Sequence, residues 1–383
     1  MEVKTVYKRF CLLLSALFIF AILPLAGCSG EEPPDPGEMV VWVDPIFEAA
    51  IRAELGRPAG PIRSGELREI RTVNIRSNMI QFGGTTSVGA HHMHDRAVGV
   101  QVLDDLLSFP SILILDVSFT YIEDFSPLNR LEDLQRLNLY HNPNLTDLSF
   151  LNGLNLVTLV LNDLPVDDYS PVLSLSTLVN LEIYRSNLTT LNMRGRFPEL
   201  RRLNLNRNNI SDISFLESYV DLTYLDLRDN QITDITPLSG MSEMFSLSLS
   251  GNPISNIAPV AEMGQLRQLS ISQTNVSDLR PLSGLRWLAL LYVRNSQVAS
   301  VEPISGLTDL RMLDLGRNQI TSVRPLENLN NLIELDVSDN LLTDVTALHG
   351  MRGLRDLNVS DNNLTPAQIR ALEESLSGVE ISS

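Results

Sequence analysis

Apolar residues return along this chain at a fixed interval. From Ile112 an apolar residue recurs every 22 positions, at Leu134, Leu156, Leu178, Leu200, Leu222, Met244, Leu266, Leu288, Leu310, Leu332 and Leu354. A Leu follows each of them three residues on, from Leu115 to Leu357, and two residues further there is always Leu, Ile or Val. The alternation within each unit is the period of a strand with one face buried. A unit this short cannot bury its own leucines, so the pattern predicts stacking into one continuous core.

The polar positions repeat with the same interval. Five residues after the second Leu stands Asn142, Asn208, Asn230, Asn252, Asn318, Asn340 or Asn362, where an amide can bond backbone groups of its own turn and the next. Thr120, Ser186, Thr274 and Ser296 place a hydroxyl there. Leu164 can offer no hydrogen bond, which predicts a local irregularity. Prolines such as Pro127, Pro237, Pro281 and Pro325 open a short helical turn on the other side of each unit, where the missing N–H costs nothing.

The full unit is clearest in LTYLDLRDNQITDITPLSGMSE, residues 222 to 243. It resembles the 22-residue leucine-rich repeat of the bacterial internalin type, over residues 112–364. The resemblance implies an α/β repeat solenoid. Its curved rod or horseshoe carries a parallel concave sheet and 3₁₀ turns on the convex side. It also implies binding of a protein partner, as in adhesion.

Both ends read as caps. Residues 365–383 open with Thr365 and Pro366, continue with Ile369, Leu372 and Leu376 on one helical face, and stop at Gly378 before a last short strand near Val379 to Ile381. Residues 40–69 carry Ile46, Phe47, Ala50, Ile51 and Leu55 at helical spacing, and resemble the helical lead-in of secreted leucine-rich-repeat proteins. Residues 70–111 hold a degenerate first repeat with Ile70, Val73, Ile75 and Asn78. After it come a loop insertion over 79–101 and a short helix at Leu103 to Phe109.

The start of the chain is of another kind. Lys4, Lys8 and Arg9 precede an apolar run from Phe10 to Leu25, the arrangement of a secretory signal. The run ends in Leu25-Ala26-Gly27-Cys28, which resembles a bacterial lipobox and implies cleavage before Cys28 and lipidation of its sulfur. Residues 1–27 are then the signal, and residues 28–39, acidic and rich in proline, the lipidated Cys and a tether. The expected location is the bacterial cell membrane, lipid-anchored on its extracytoplasmic face, with membrane contact through that lipid only.

Composition changes this picture in three ways. Hydrophobic residues at 44% exclude a disordered chain. The formal charge of −17 becomes −19 when Lys4, Lys8, Arg9 and Glu2 leave with the signal, which argues against a nucleic-acid partner. The cysteines are Cys11 and Cys28 alone, so the mature chain has no free thiol, and no lysine follows Lys8.

Candidate chemistry lies in two places. His91, His92, His94 and Asp95 are weak zinc or copper candidates, because neighbouring imidazoles in a Gly-rich loop rarely converge on one ion. The reading expects a polar loop there, with no metal, no cofactor and no catalytic residue. The outward strand positions are the stronger candidate. Arg136, Tyr140, Glu182, Tyr184, Arg202, Tyr224, Asp226, Arg228, Tyr292 and Arg294 all fall on one sheet face. Tyr and Arg dominate protein-binding hot spots, so these ten are the expected contacts with a protein ligand. A glycan stacked on the tyrosines is the alternative; a metal-dependent enzyme and a passive envelope spacer are the lesser ones. The acidic end of the face, with Asp314, Glu334, Asp336 and Asp356, favours a basic partner.

Overall fold

The computed structural model describes residues 37–77, 79–83 and 99–383. Gly37–Ser383 forms one unit. The 22-residue register becomes a sheet whose strands follow chain order. They run from β1 (Thr72–Arg76) and β3 (Ile114–Ser118), through β4 (Arg136–Asn138), β5 (Thr158–Val160), β6 (Asn180–Glu182), β7 (Arg202–Asn204) and β8 (Tyr224–Asp226). They continue with β9 (Ser246–Ser248), β10 (Gln268–Ser270), β11 (Leu290–Tyr292), β12 (Met312–Asp314), β13 (Glu334–Asp336), β14 (Asp356–Asn358) and β15 (Glu380–Ser382). Each pairs in parallel with the next, and equivalent leucines stand side by side, as Leu203 beside Leu225 and Leu225 beside Leu247. The solenoid expected of leucine-rich repeats is thus the observed architecture.

The leucines form one core along the whole sheet, with Leu203, Leu225, Leu247, Leu269 and Leu291 fully buried. Opposite the strands lie short 3₁₀ turns, such as Ser126–Arg130, Thr236–Leu238 and Arg280–Leu282, each with Pro in its first turn. An Asp two residues earlier fastens many of them: Asp124, Asp147, Asp212, Asp234 and Asp344 each accept the N–H of the Ser or Thr that follows, at 2.8–2.9 Å. These hydrogen bonds hold the five carboxyls below the usual range. Much of the acidity is therefore structural.

The Asn ladder works as the residue type predicts. Asn230 donates to the carbonyls of Leu205 and Leu227, both at 3.0 Å, and accepts the Ile210 N–H at 3.0 Å. At Leu164 the irregularity is confined to hydrogen bonding. Leu164 is buried, β5 and β6 stay in register, and the backbone of Asp163 keeps the conformation of its counterparts.

Both caps form. In α1 (Pro45–Glu54) Phe47 and Ile51 are buried, and Asp44 caps its N-terminus. In α2 (Pro366–Ser375) Thr365 and Gln368 form a capping box. The region read as a loop from residue 79 differs. Met79–Phe82 forms β2, which folds back antiparallel on β1 and places Ile80 and Phe82 in the core. The short helix expected at Leu103 to Phe109 is a 3₁₀ turn, Asp104–Ser108.

Candidate functional site

The outward sheet face divides into three parts. In the first, β4 and β6 each lead into a tyrosine, Tyr140 and Tyr184, whose rings lie 6.0 Å apart. They are two repeats apart, so the repeat between them contributes Asn162 beneath the pair. Asn162 is buried; its Oδ1 accepts the Tyr184 N–H at 2.9 Å and its amide donates to Glu182 Oε2 at 3.4 Å. Burial pushes the Glu182 carboxyl up and raises the Tyr184 phenol above its ordinary value, with Tyr140 adding to the latter.

Beside the tyrosines runs a rim that alternation along the strands does not reveal. The residue before each ladder Asn, or before its substitute, has a positive φ at every repeat, from Phe119 (56°) and His141 (55°) to Asp361 (54°). The left-handed turn aims these side chains past the end of the strand. Phe119, 42% exposed, lies edge-on to Tyr140 at 4.8 Å and 5.2 Å from the His141 ring. His141 Nδ1 sits 2.7 Å from Asp163 Oδ2, and Arg185 Nε 3.6 Å from Asp163 Oδ1. Four repeats thus present a row of Phe, His, Asp and Arg against the tyrosine pair.

The second part is polar and packed. The Arg202 guanidinium lies 4.3 Å above the Tyr224 ring, and burial with the nearby Asp226 charge pushes the Tyr224 phenol up to about 12. Asp226 occupies an outward position yet is fully buried. It accepts Arg228 Nε at 2.9 Å and Nη2 at 2.6 Å, and Asn206 Nδ2 at 3.1 Å. Asp226 therefore orients Arg228 and has no surface of its own for a ligand, whereas Glu182 is half-buried. Beyond them the face is small and hydroxyl-rich, with Ser250 and Ser270 joined at 2.6 Å.

In the third part the acidic end is less open to a basic partner than its composition implies. Arg294 crosses two strands to reach Asp314 Oδ1 at 3.4 Å and Asp336 Oδ2 at 2.9 Å. Gly316 makes this possible, because a Cβ there would meet Arg294 Nη1. Burial and the Asp336 charge push the Asp314 carboxyl up to about 6. Its folded form binds a proton more tightly than the unfolded chain, for which 3.8 is the ordinary value. This group's contribution to stability is thus full below pH 3.8 and lost as pH rises through about 6. The wild-type unfolding free energy from urea denaturation is expected to rise between pH 7 and pH 5, by on the order of 1 kcal/mol allowing for partial solvent screening. Asp314→Asn should flatten that rise; an equal rise in the variant would refute the assignment. Below pH 4 the turn aspartates act in the opposite sense.

Of the remaining sequence candidates, Arg136 is exposed and Tyr292 donates to Met312 Sδ at 3.7 Å. Sequence reasoning missed Phe119, His141, Asp163 and Arg185, although their fixed place before the ladder position was a signal. It also missed an exposed pair on the opposite rim, where Arg267 lies 4.8 Å over the Trp287 ring. Cys28, His91, His92, His94 and Asp95 lie outside the described residues. Among the described residues no group of three or more metal-binding side chains converges, and no helix is long and apolar enough to cross a membrane.

Comparison with known proteins gives the fold. A family model for leucine-rich repeats, two copies, matches residues 198–240. No curated protein matches the sequence. An internalin of Listeria monocytogenes (inlF) is similar in structure, with a TM-score of 0.67 and 21% identity over 89% of this chain and 91% of that one. A leucine-rich-repeat protein of Leptospira interrogans aligns with a TM-score of 0.58 and 16% identity, over 74% of this chain and 93% of that one. The plant peptide hormone receptor RGFR1, solved in complex with RGF2, aligns with a TM-score of 0.58 and 16% identity, over 74% of this chain and 53% of that one.

Proposed function

We propose that this chain is a lipid-anchored extracytoplasmic protein that binds a protein partner, without catalysis, through the first part of its open sheet face. The observation that carries the reading is the Tyr140–Tyr184 pair, held over the buried Asn162 and flanked by the exposed ring of Phe119. Rigid aromatic rings on a fixed polar base bind with little loss of side-chain entropy. That the plant receptor of the same fold is in complex with RGF2 agrees with such a role.

A photo-reactive residue at position 119, in the anchored protein on intact cells, tests the site. A discrete protein adduct is expected, and its yield should fall sharply in Tyr184→Ala. An adduct unaffected by that substitution, or one that is a glycan, would replace this reading. Lysine-directed reagents are unsuited, since no lysine follows Lys8. Anchoring is tested separately: Cys28→Ser should move the protein from the detergent to the aqueous phase on phase partition, and no movement would refute lipidation.

A further inference from the structure

The N-terminal cap begins with an extended segment, Met39 to Val43, whose two sides differ. Val40 and Trp42 pack against the core, while Met39, Val41 and Val43 are 62%, 82% and 60% exposed. Three large apolar side chains in alternation form a stripe on one side of a strand. One backbone edge of the segment is occupied: Val40 N–H donates to the Ile62 carbonyl at 2.9 Å, and the Glu38 carbonyl accepts the Ser64 N–H at 3.0 Å. The other edge carries the N–H and C=O of Met39 and Val41, which have no hydrogen-bond partner among the described residues; it closes at Val43, whose N–H donates to Asp105 Oδ1 at 2.8 Å.

Different surroundings would satisfy these two features unequally. Water solvates the backbone edge but leaves the apolar stripe exposed. A lipid bilayer would accept the side chains but strand the N–H and C=O groups. A second strand bonds the backbone edge and covers part of each apolar side chain with a cross-strand neighbour, as unprotected sheet edges do when they pair with another chain. The stretch Met39 to Val43 contains no Lys, Pro or other charge to discourage it.

We infer that this edge pairs with the same edge of a second copy of the chain, antiparallel, about a two-fold axis at Val40. That register brings Met39 opposite Val41 of the other copy. It uses the free N–H and C=O of both residues in both chains, giving four new hydrogen bonds. A contact of five residues buries far less than the roughly 800 Å² per partner typical of a stable interface, so it is weak between freely diffusing molecules. Anchoring changes this. Cys28 precedes Met39 by eleven residues, so a lipid on it would tether the edge of every copy within about 40 Å of one surface. In this respect the inference rests on the lipidation proposed above.

The test supplies the anchor independently of lipidation. Residues 29–383 include the whole unit Gly37–Ser383 and contain no cysteine. This chain, with an N-terminal histidine tag, is bound to nickel-lipid vesicles as an equal mixture of Met39→Cys and Val41→Cys forms carrying different epitope tags. Mild oxidation is expected to give the mixed disulfide dimer at several times the yield of either single form. Val41→Lys placed in the Met39→Cys form should abolish it. All these positions are exposed, so folding is not at stake. Mixed-dimer yield no greater than that of an exposed control, Val220→Cys, would overturn the inference. So would equal yields from mixed and single forms. Failure of lipidation in cells, with dimers on vesicles, would count against the anchor alone.

Discussion

Asn208→Ala is expected to remove about 3 kcal/mol of folding stability. The Asn208 Oδ1 accepts the N–H groups of Ser186 at 3.0 Å and Leu188 at 3.1 Å, and Nδ2 donates to the carbonyls of Ile183 at 2.7 Å and Leu205 at 3.0 Å. Leu205 keeps a second donor in Asn230, at 3.0 Å. Truncation thus strands three buried backbone groups, the two N–H and the Ile183 carbonyl. Each costs about 1 kcal/mol or more when left unpaired. Asn208→Asp should be no milder at neutral pH, because it turns an acceptor toward those same carbonyls. Urea denaturation of the three chains measures this; a loss below about 1 kcal/mol for Asn208→Ala would mean that water replaces the amide.

The largest effect on binding is expected from Tyr184→Ala, a loss of about 30-fold in affinity for the captured partner, the size typical of an aromatic hot spot. The ring meets that of Tyr140 at 6.0 Å, so its removal also frees Tyr140 to move. The two tyrosines should therefore be non-additive: the double variant loses less than the product of the single losses. Phe119→Ala is expected to act through Tyr140, which it meets edge-on. Titration of the isolated partner against each variant gives the values. Full multiplicativity would show that the rings act separately, and unchanged affinity would place the contact elsewhere.

Much of this molecule was legible as sequence because one constraint repeats. The 22-residue register fixed the strands, and the alternation within it separated core from outward positions. Thr365, Pro366 and Gln368 announced the last helix through local chemistry alone. Met79–Phe82 was illegible because an antiparallel return strand shares no register with the repeats; its Ile80 and Phe82 looked like part of a loop. At the site, alternation gave the face but not the height of its side chains. Asp226 was read as a contact, yet Arg228 and Asn206 close over it. Arg294 stands at an outward position, but its reach to Asp336 depends on the absence of a side chain at Gly316, the equivalent position one repeat further on.

The left-handed turn has a consequence for how the rim can be mapped. Of the twelve equivalent positions from Phe119 to Asp361, glycine occupies Gly251 alone; the others include Phe, His, Arg, Gln, Asn and Asp. Glycine would fit that backbone without strain, whereas most other residues forgo on the order of 1 kcal/mol to stand there. Single glycine substitutions along the rim therefore separate two properties that point mutations usually confound. Where a side chain is idle, glycine should raise the melting temperature and leave recognition intact. Where it is used, the same change should yield a sturdier protein that recognises less.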